Sequence, residues 1–394
     1  MLHRAFKAFV GAGTLHVRYA NGRSESYGDG SGPAVSIVFH DRAAERGMVT
    51  HPALKLGECY MDGTLELAEG DLYDLLHLMV GNRTQGRLPG PMKALARAAA
   101  LTRPQRLVDA RRARANVAHH YDLDSRLYDL FLDAERQYSC AYFERADMTL
   151  DEAQRAKMAR IAQKLAPRQG QTALDIGSGW GGLGLHLARE KGLQVTGVTL
   201  SEEQLGVARR RAADEGMGDR ARFELVDYRE VEGPFDRIVS VGMLEHVGKR
   251  ALDAYFARVA ELLADDGVAL IHSISRYNKP RPTNPWFEKY IFPGHYIPAL
   301  SEAMAAVERS GLLIADIEIW RLHYAETLKH WRQRFLANRD KARALHDERF
   351  CRMWEYYLAS AEAGFRVGGN MVFQLLLLKD RNALPQTRAW MEAG

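Results

Sequence analysis

A glycine-rich turn between an apolar run and a helical segment constrains the fold of this chain more than any other feature. It reads LDIGSGWGG over residues 174–182, with an apolar run at 172–176 and a helix-like segment at 183–191. In parallel α/β sheets such glycines let a ligand approach the backbone where a strand ends. The spacing is Gly-x-Gly-x-Gly and no Gly-Lys-Ser/Thr follows, which excludes a P-loop.

The region around this turn continues as strands and helices in alternation. Further strands are predicted at 194–200, 222–226, 235–241 and 267–273, and a helix is predicted at 252–263. Ser201 and Gln204, three residues apart, predict a capping box at the start of the helix after the second strand. The alternation predicts an α/β fold with a doubly wound, Rossmann-like parallel sheet and helices on both faces.

The N-terminal part of the chain predicts a smaller α+β domain over residues 1–80. Strands are expected at 14–19 and 34–39, separated by a turn-rich stretch at 28–33, and a helix is expected at 71–80. In these residues we see no group of candidate catalytic or ligand-binding residues. We expect a basic linker helix at 81–115 and the larger domain at 116–394.

Charge is distributed unevenly along the chain. The 54 basic and 50 acidic residues give a net charge of +4, but residues 83–114 hold nine basic residues against one acid, Asp109. This segment therefore carries +8 and the remainder of the chain −4. An anionic membrane surface is one partner for such a segment, and a solvated linker helix is the alternative. Without interleaved aromatic residues or a known module, we expect no nucleic-acid binding.

Cysteine content and apolar runs bear on the compartment. The three cysteines, Cys59, Cys140 and Cys351, form no disulfide framework, which favours a reducing cytosol. No apolar run approaches the length of a transmembrane helix, and the N-terminus has no signal-peptide core. We expect a cytoplasmic protein without a metal site, because Cys-x-x-Cys and His-Glu-x-x-His spacings are absent.

The residue before the glycines suggests which ligand the turn binds. Asp175 can orient the turn or hold a charged ammonium, which suits the amino-acid end of S-adenosylmethionine better than a pyrophosphate. A purely structural strand–helix turn is the alternative. The second strand ends at Leu200 and Ser201 without the acid that commonly binds a ribose in such sheets, and the nearest acids are Glu202 and Glu203.

Several collinear motifs between residues 116 and 380 resemble the cyclopropane-fatty-acyl-phospholipid synthase family, which includes the mycolic acid cyclopropane synthases. They are HHYD at 119–122, YSCAYFER at 138–145, the glycine-rich turn, SVGMLEHVG at 240–248, LIHSI at 270–274, YIFPG at 290–294 and HYAETL at 323–328. Residues 56–63 also resemble the N-terminal domain of the longer, phospholipid-acting members. The resemblance implies a class I methyltransferase sheet.

The resemblance also implies ligand positions in this sequence. Together with Asp175, the implied S-adenosylmethionine contacts are Tyr138, Ser139, Gly177, Ser178, Gly179, Thr199, Leu200, Ser201, Gln204, Tyr228 and Arg229. The implied bicarbonate-binding positions, which we take as catalytic, are Cys140, Glu245, His272, Ile274 through its backbone, and Tyr324.

The implied reaction is methylation of a cis double bond in a phospholipid acyl chain, followed by ring closure to a cyclopropane. The carbocation left on the chain favours aromatic walls, for which Tyr142, Phe143, Trp180 and Tyr324 are candidates. Ring closure needs a positioned base, a role that bound bicarbonate could fill. The substrate lies in a bilayer, so we expect peripheral binding to the inner face of the membrane. A homodimer through the N-terminal domain is left open.

Each catalytic candidate has an alternative interpretation. Cys140 can be a small buried hydrophobe and His272 a hydrogen-bonded core histidine, while Glu245 can serve as a helix cap and Tyr324 as packing. The sequence also departs from the family where Ser178 and Ser360 replace cysteines that many members carry. Three other functions stay open: an acyl-chain methyltransferase with a methyl-branched or methylene product, a small-amine N-methyltransferase, and a catalytically silent lipid-binding protein.

Overall fold

The computed structural model describes residues 1–86 and 125–391, and these form two compact units. The first unit contains residues 1–86 together with Arg281–Pro293 and Leu328–Asn370. The second contains residues 125–280, Gly294–Thr327 and residues 371–391. Two later segments therefore group with the N-terminal part, whereas the expected linear division places them in the larger domain.

A four-stranded sheet forms the first unit, in the order β2-β1-β3-β4, where β1 and β3 are parallel and the two outer strands pair antiparallel. The strands are β1 (Thr14–Arg18), β2 (Ser24–Gly28), β3 (Ala34–Phe39) and β4 (Leu65–Glu69). The helices are α1 (Leu2–Phe9), α2 (Arg42–Thr50), α3 (Pro52–Met61) and α4 (Leu72–Thr84). In this unit the sequence prediction missed β2 and β4, which are short edge strands whose polar residues give no apolar run.

A buried tryptophan explains why a later segment belongs to this unit. Trp286 is fully buried on α11 (Pro285–Tyr290), and its ring centroid lies 4.4 Å from that of Tyr356. A side chain at Gly57 would come within 2.3 Å of the Trp286 indole nitrogen, so only glycine fits there. In the same unit, the Tyr60 hydroxyl donates to Glu355 at 2.6 Å.

The second unit is built on a seven-stranded sheet in the order β10-β11-β9-β8-β5-β6-β7. Its strands are β5 (Thr172–Ile176), β6 (Gln194–Thr199), β7 (Ala221–Leu225), β8 (Phe235–Val241), β9 (Leu263–Arg276), β10 (Leu313–Trp320) and β11 (Asn370–Leu378). Strands β5 to β9 pair in parallel, and β10 pairs antiparallel with β11. The sequence predicts the parallel strands to within a few residues but not the antiparallel pair.

Helices cover both faces of this sheet, so the predicted doubly wound α/β architecture is confirmed. The remaining α-helices among the described residues are α5 (Ser125–Asp129), α6 (Leu150–Lys164), α7 (Gly182–Lys191), α8 (Glu202–Asp214), α9 (Leu244–Val247), α10 (Leu252–Leu262), α12 (Leu300–Ser310), α13 (His323–Ala337), α14 (Arg339–Leu345) and α15 (Glu348–Arg366). Helices α6, α7 and α8 pack with one apolar cluster, and α10 and α12 pack with a second.

Two sequence predictions fall on residues that the structure does not describe. These are the motif at 119–122 and the basic segment at 83–114, of which residues 83–86 alone are described. In the described ranges, every helix is too short or too polar to cross a bilayer.

Candidate active site

Several candidate residues of the second unit, among them Asp175, His272 and those of the glycine-rich turn, lie towards the carboxyl ends of its parallel strands, where open α/β sheets bind ligands. In the strand register Asp175 of β5 lies beside Val239 of β8, and Val241 of β8 lies beside His272 of β9. The Gly242 N–H donates to the carbonyl of His272 at 2.9 Å. The glycine-rich turn, the helix carrying Glu245 and the end of β9 therefore leave the sheet from neighbouring strands.

The glycine-rich turn folds back on the neighbouring strand β6. The N–H groups of Gly177 and Ser178 both donate to the carbonyl of Val198, at 2.9 and 3.0 Å. Gly179 and Gly181 have φ values of 56° and 83°, in the left-handed region that favours glycine. At Gly181, a Cβ atom would also come within 2.9 Å of both Ala208 and Phe223.

Two buried polar atoms at this turn make no hydrogen bond to any residue that the structure describes. Among the described residues, Asp175 Oδ2 and Ser178 Oγ have no hydrogen-bond partner. Burial raises the pKa of Asp175 to about 7, and Lys157 opposes this rise. A ligand ammonium or hydroxyl would supply the missing donors. The turn therefore fits the polar end of S-adenosylmethionine, by a criterion independent of the motif.

Polar side chains at the end of β6 bond to one another. Ser201 caps α8 by accepting from the Gln204 N–H at 3.2 Å, as predicted. The second half of the predicted capping box is different, since the Ser201 N–H donates to Thr199 Oγ1 at 3.2 Å. That hydroxyl donates to Gln204 Oε1 at 2.9 Å. Leu200 lies between these groups, and the network fixes the backbone that leads into α8.

Tyr228 and Arg229 follow β7 and differ in their environments. The Tyr228 ring contacts Tyr255 edge-on at 5.4 Å, and burial raises the Tyr228 pKa to about 12. The Arg229 guanidinium is committed to Asp227, donating to its two carboxylate oxygens at 2.8 and 2.6 Å. Asp227 is 1% exposed and was missed by sequence reasoning, although it too follows a predicted strand.

The segment with Tyr138, Ser139 and Cys140 is held by hydrogen bonds from neighbouring helices. Buried Lys157 of α6 donates to Ser139 Oγ at 2.9 Å, and Gln154 donates to the Ser139 carbonyl at 3.0 Å. The Tyr138 ring lies 5.4 Å from that of Tyr128. Burial raises the pKa of the Cys140 thiol well above its usual value, so it remains protonated and donates to the Ala141 carbonyl.

Glu245 and Ile274 are in direct contact. The Ile274 N–H donates to Glu245 Oε1, whereas Glu245 Oε2 has no hydrogen-bond partner among the described residues. Glu245 is 2% exposed, and burial raises its pKa to about 7 despite the hydrogen bond from Ile274. This carboxyl group can therefore hold or release a proton near neutral pH.

His272 is buried two residues before Ile274 on β9. Its ring stands perpendicular to that of Trp320, with centroids 5.0 Å apart, and its Nδ1 lies 3.1 Å from Gln374 Nε2. Burial, followed by the nearby Lys157 and Lys164, lowers its pKa well below the usual value. His272 is therefore a neutral imidazole.

Tyr324 is buried in the first turn of α13, whose residues also contact the 140–143 segment. Thr327 Oγ1 accepts from the Ala141 N–H at 3.0 Å, and His323 Nδ1 accepts from the Phe143 N–H at 3.1 Å. Tyr324 therefore lies in the same helical turn as two side chains that bind the backbone next to Cys140.

The aromatic residues proposed as a cation-stabilising wall separate into two groups. Tyr142 and Phe143 stack on His323, whereas Trp180 contacts Tyr128 at 4.9 Å and donates to Glu203. The Arg160 guanidinium lies 4.7 Å from the centre of the Tyr142 ring, so this ring already makes a cation–π contact within the protein. Trp320, buried between Tyr142 and His272, was missed by sequence reasoning.

Sequence reasoning also missed a row of buried polar side chains on α6. Gln154, Lys157 and Lys164 are each at most 1% exposed, although α6 also contributes apolar residues to the core. Their spacings of three and seven residues put them on one helix face. This spacing can be read from the sequence, but polar residues on an exposed helix face have the same spacing, so it does not predict that these side chains are buried.

Comparisons with known proteins agree along nearly the whole chain. The profile described as mycolic acid cyclopropane synthetase matches residues 108–375, and one described as a domain of unknown function matches residues 1–85. A probable fatty acid methyltransferase of Pseudomonas putida is 36% identical over 372 residues, covering 91% of this chain and 92% of that protein. The cyclopropane-fatty-acyl-phospholipid synthase of Escherichia coli K12 is 37% identical over 352 residues, 88% of each chain.

Solved structures support the same relationship. The crystal structure of mycolic acid cyclopropane synthase CmaA1 with SAH and CTAB has a TM-score of 0.64 and 34% identity. The match covers 67% of this chain and 97% of that one.

Proposed function

Because the chain belongs to the mycolic acid cyclopropane synthetase family of S-adenosylmethionine-dependent methyltransferases, we propose that it converts cis double bonds of phospholipid acyl chains into cyclopropanes. The observation that carries this proposal is a pair of buried carboxyl oxygens at the carboxyl edge of the sheet, Asp175 Oδ2 and Glu245 Oε2, that have no hydrogen-bond partner among the described residues. One fits the cofactor and the other fits proton transfer.

The cofactor would be held by the turn after β5 and the residues facing it. S-adenosylmethionine, when bound, supplies an electrophilic methyl group to the alkene. Asp175 and Ser178 would accept hydrogen bonds from its polar end, and Ser139, oriented by Lys157, would contact it from the 138–140 segment. Thr199 and Gln204 would present the end of β6, with Tyr138, Leu200, Tyr228 and Arg229 completing the contacts.

Proton removal would take place around Glu245, His272, Tyr324, Cys140 and the backbone of Ile274. Bicarbonate, when bound, would accept the proton that ring closure releases from the new methyl group. Glu245 has its pKa raised to about 7 by burial, so at neutral pH it can donate a hydrogen bond to an anion rather than repel it, and it can also release or take up a proton during turnover. Neutral His272 and the Cys140 thiol add donors without a competing negative charge.

A methyl-branched or methylene product is the second candidate. The identity to the probable fatty acid methyltransferase of Pseudomonas putida is 36% and that to the Escherichia coli synthase is 37%, so this similarity does not decide between the two products. Ser360, which stands where many relatives have cysteine, lies on α15 and donates to the Tyr357 carbonyl at 3.2 Å. A serine bonded within its own helix supports the interpretation that no thiol chemistry is needed there.

The proposed substrate lies in a bilayer, so we also propose peripheral binding to the anionic inner leaflet through the basic segment at 83–114. Its charge of +8 supports this, at about 1 kcal/mol per basic residue near such a surface. Replacing Arg106, Arg111, Arg112 and Arg114 with glutamine should reduce binding to vesicles rich in anionic lipid. Unchanged binding would refute the proposal. A homodimer through the N-terminal domain is a further proposal, by analogy with long relatives.

Mass spectrometry of acyl chains tests the function directly. The protein is expressed in cells that contain unsaturated phospholipids, with Glu245→Gln as the inactive control and Glu224→Gln, an exposed position, as the matched active control. A mass gain of one CH₂ with loss of the alkene supports ring formation. A gain with the alkene retained supports the second candidate. Unchanged lipids, with a folded protein that binds S-adenosylmethionine, would refute both and point to a small-amine substrate.

A further inference from the structure

Two buried side chains, Lys164 of helix α6 and Gln374, form a hydrogen-bond chain to the histidine of the candidate site. Lys164 Nζ donates to Gln374 Oε1 at 2.8 Å, and Gln374 Nε2 lies 3.1 Å from His272 Nδ1. Lys164, Gln374 and His272 are 1%, 1% and 2% exposed. Each therefore depends on the others, because water cannot replace a missing hydrogen bond there.

The chemistry of these groups fixes the direction of every hydrogen bond. A lysine ammonium only donates, so the amide of Gln374 must turn its oxygen towards Lys164. Its nitrogen, which only donates, then faces His272. His272 Nδ1 must consequently accept, and in a neutral imidazole the proton resides on Nε2.

The ammonium at the start of this chain is itself held in place. Lys164 donates a hydrogen bond to Glu318, which also accepts one from the Arg160 guanidinium, with Nη2 2.7 Å from Glu318 Oε1. Burial acts to raise the pKa of Glu318, but hydrogen bonds from Arg160 and the charge of Lys164 hold it at about 2. Glu318 is therefore an anion at neutral pH, and it keeps Lys164 oriented.

We propose that Lys164 and Gln374 are positioning residues that set the tautomer of His272, so that its Nε2–H is the donor for an oxyanion ligand. The consequence for catalysis rests on the proposed function, whereas the tautomer itself does not. The perpendicular contact with Trp320 adds a restraint on the plane of the ring. The sequence places these residues on a helix and two strands far apart in the chain, so no local motif contains the relay.

Long-range ¹H–¹⁵N correlation spectra of ¹⁵N-histidine-labelled full-length protein, recorded without ligands, report which ring nitrogen carries the proton. His272→Asn identifies the His272 signals by subtraction among the 14 histidines. We expect Nε2 protonated and Nδ1 unprotonated. A wild-type protein with the proton on His272 Nδ1 would overturn the proposal without any variant.

Two variants test the relay itself. In Gln374→Glu the carboxylate can only accept, so the proton should move to His272 Nδ1. In Lys164→Met the amide of Gln374 is no longer oriented, and the preference for Nε2 should weaken. Gln163→Glu makes the same chemical change on α6 outside the relay and should keep the wild-type tautomer. A wild-type tautomer in folded Gln374→Glu would overturn the proposal.

Turnover then separates this proposal from the proposed function. If both hold, Gln374→Glu should lower turnover about 10- to 100-fold, as expected for a misplaced hydrogen bond to a charged group, with KM for S-adenosylmethionine little changed. A moved tautomer with unchanged turnover would remove the His272 donor from the mechanism. Normal tautomers in a protein that leaves lipids unchanged would refute the proposed function alone.

Discussion

Two groups of buried polar residues lie within the methyltransferase unit, and they differ in whether the protein satisfies them. At the carboxyl edge of the sheet, Asp175, Ser178 and Glu245 each keep one buried oxygen without a partner among the described residues. On the inner face of α6, Lys157 donates to Gln137 and Ser139, and Lys164 donates to Glu318 and Gln374.

This difference separates ligand-binding groups from positioning groups. A buried polar atom without a partner costs about 1–3 kcal/mol, so folded proteins keep few of them. At the carboxyl edge of the sheet, where open α/β folds bind ligands, a bound ligand can supply the missing partners of these atoms. The α6 lysines already have protein hydrogen-bond partners, so they act by orienting the side chains to which they donate. The first group should therefore affect activity more than stability, and the second group the reverse.

The largest expected effect is the loss of turnover in Glu245→Gln. The amide still accepts from the Ile274 N–H, so the fold should persist, but proton transfer at this position is lost. We expect turnover to fall about 10²- to 10⁴-fold, the usual contribution of a positioned acid or base. Acyl-chain analysis measures the product, and Glu224→Gln is the control. Near-normal turnover would remove Glu245 from the ligand-binding group.

The same variant should show a pH-dependent gain in stability. In the folded protein the Glu245 pKa is raised from 4.5 to about 7, so between these values the folded state holds a proton that the unfolded state has released. The contribution of Glu245 to wild-type stability therefore falls by about 1.4 kcal/mol per pH unit across this window and is constant above it. The glutamine of Glu245→Gln does not titrate, so the variant does not lose this stability as the pH rises.

Urea unfolding at pH 4 and pH 8 measures that difference. The stability of Glu245→Gln relative to wild type should rise by about 3 kcal/mol from the lower to the higher pH. The contribution of Asp175 is present in both proteins and cancels. A difference that does not vary with pH would show that Glu245 is stabilised as a carboxylate, and would place it with the satisfied group.

The position of Asp175 and Ser178 at the end of a parallel strand was predictable from the sequence, whereas the burial of the α6 lysines was not. Asp175 and Ser178 belong to a local motif, in which a strand, three glycines and a helix follow one another, so their placement at the sheet edge could be predicted. Lys157 and Lys164 lie on a helix whose residues alternate in polarity like any exposed helix. Their burial depends on Ser139, Glu318 and Gln374, which reach them from other elements.

The same limit explains the fold. The parallel strands were predictable because each is a short apolar run followed by a helix, as in β5 and β8. Strand β11 is an apolar run in the sequence, but nothing in that run predicts that it pairs antiparallel with β10. The grouping of Arg281–Pro293 with the N-terminal unit depends on the packing of Trp286 against Gly57, which no local pattern predicts.

A moderate effect is expected for Lys157→Met, which keeps much of the side-chain volume but removes the ammonium. Ser139 Oγ and Gln137 Oε1 then lose a buried donor, and stability should fall by about 1–3 kcal/mol in urea unfolding. Lys191→Met, at an exposed position, should be nearly neutral. Unchanged stability in Lys157→Met together with lost cofactor binding would move Lys157 into the ligand-binding group.

The smallest effect is expected for Ser178→Ala, which removes a buried hydroxyl oxygen that has no partner among the described residues. Because the hydroxyl makes no protein hydrogen bond, its removal should leave stability unchanged or raise it slightly. Affinity for S-adenosylmethionine should fall by up to about tenfold, as expected for one neutral hydrogen bond of about 0.5–1.5 kcal/mol. Calorimetric titration with the cofactor and urea unfolding of the same preparation measure both. A variant that loses stability but keeps its affinity would mean that Ser178 serves the fold, and the distinction between the two groups would fail at the glycine-rich turn itself.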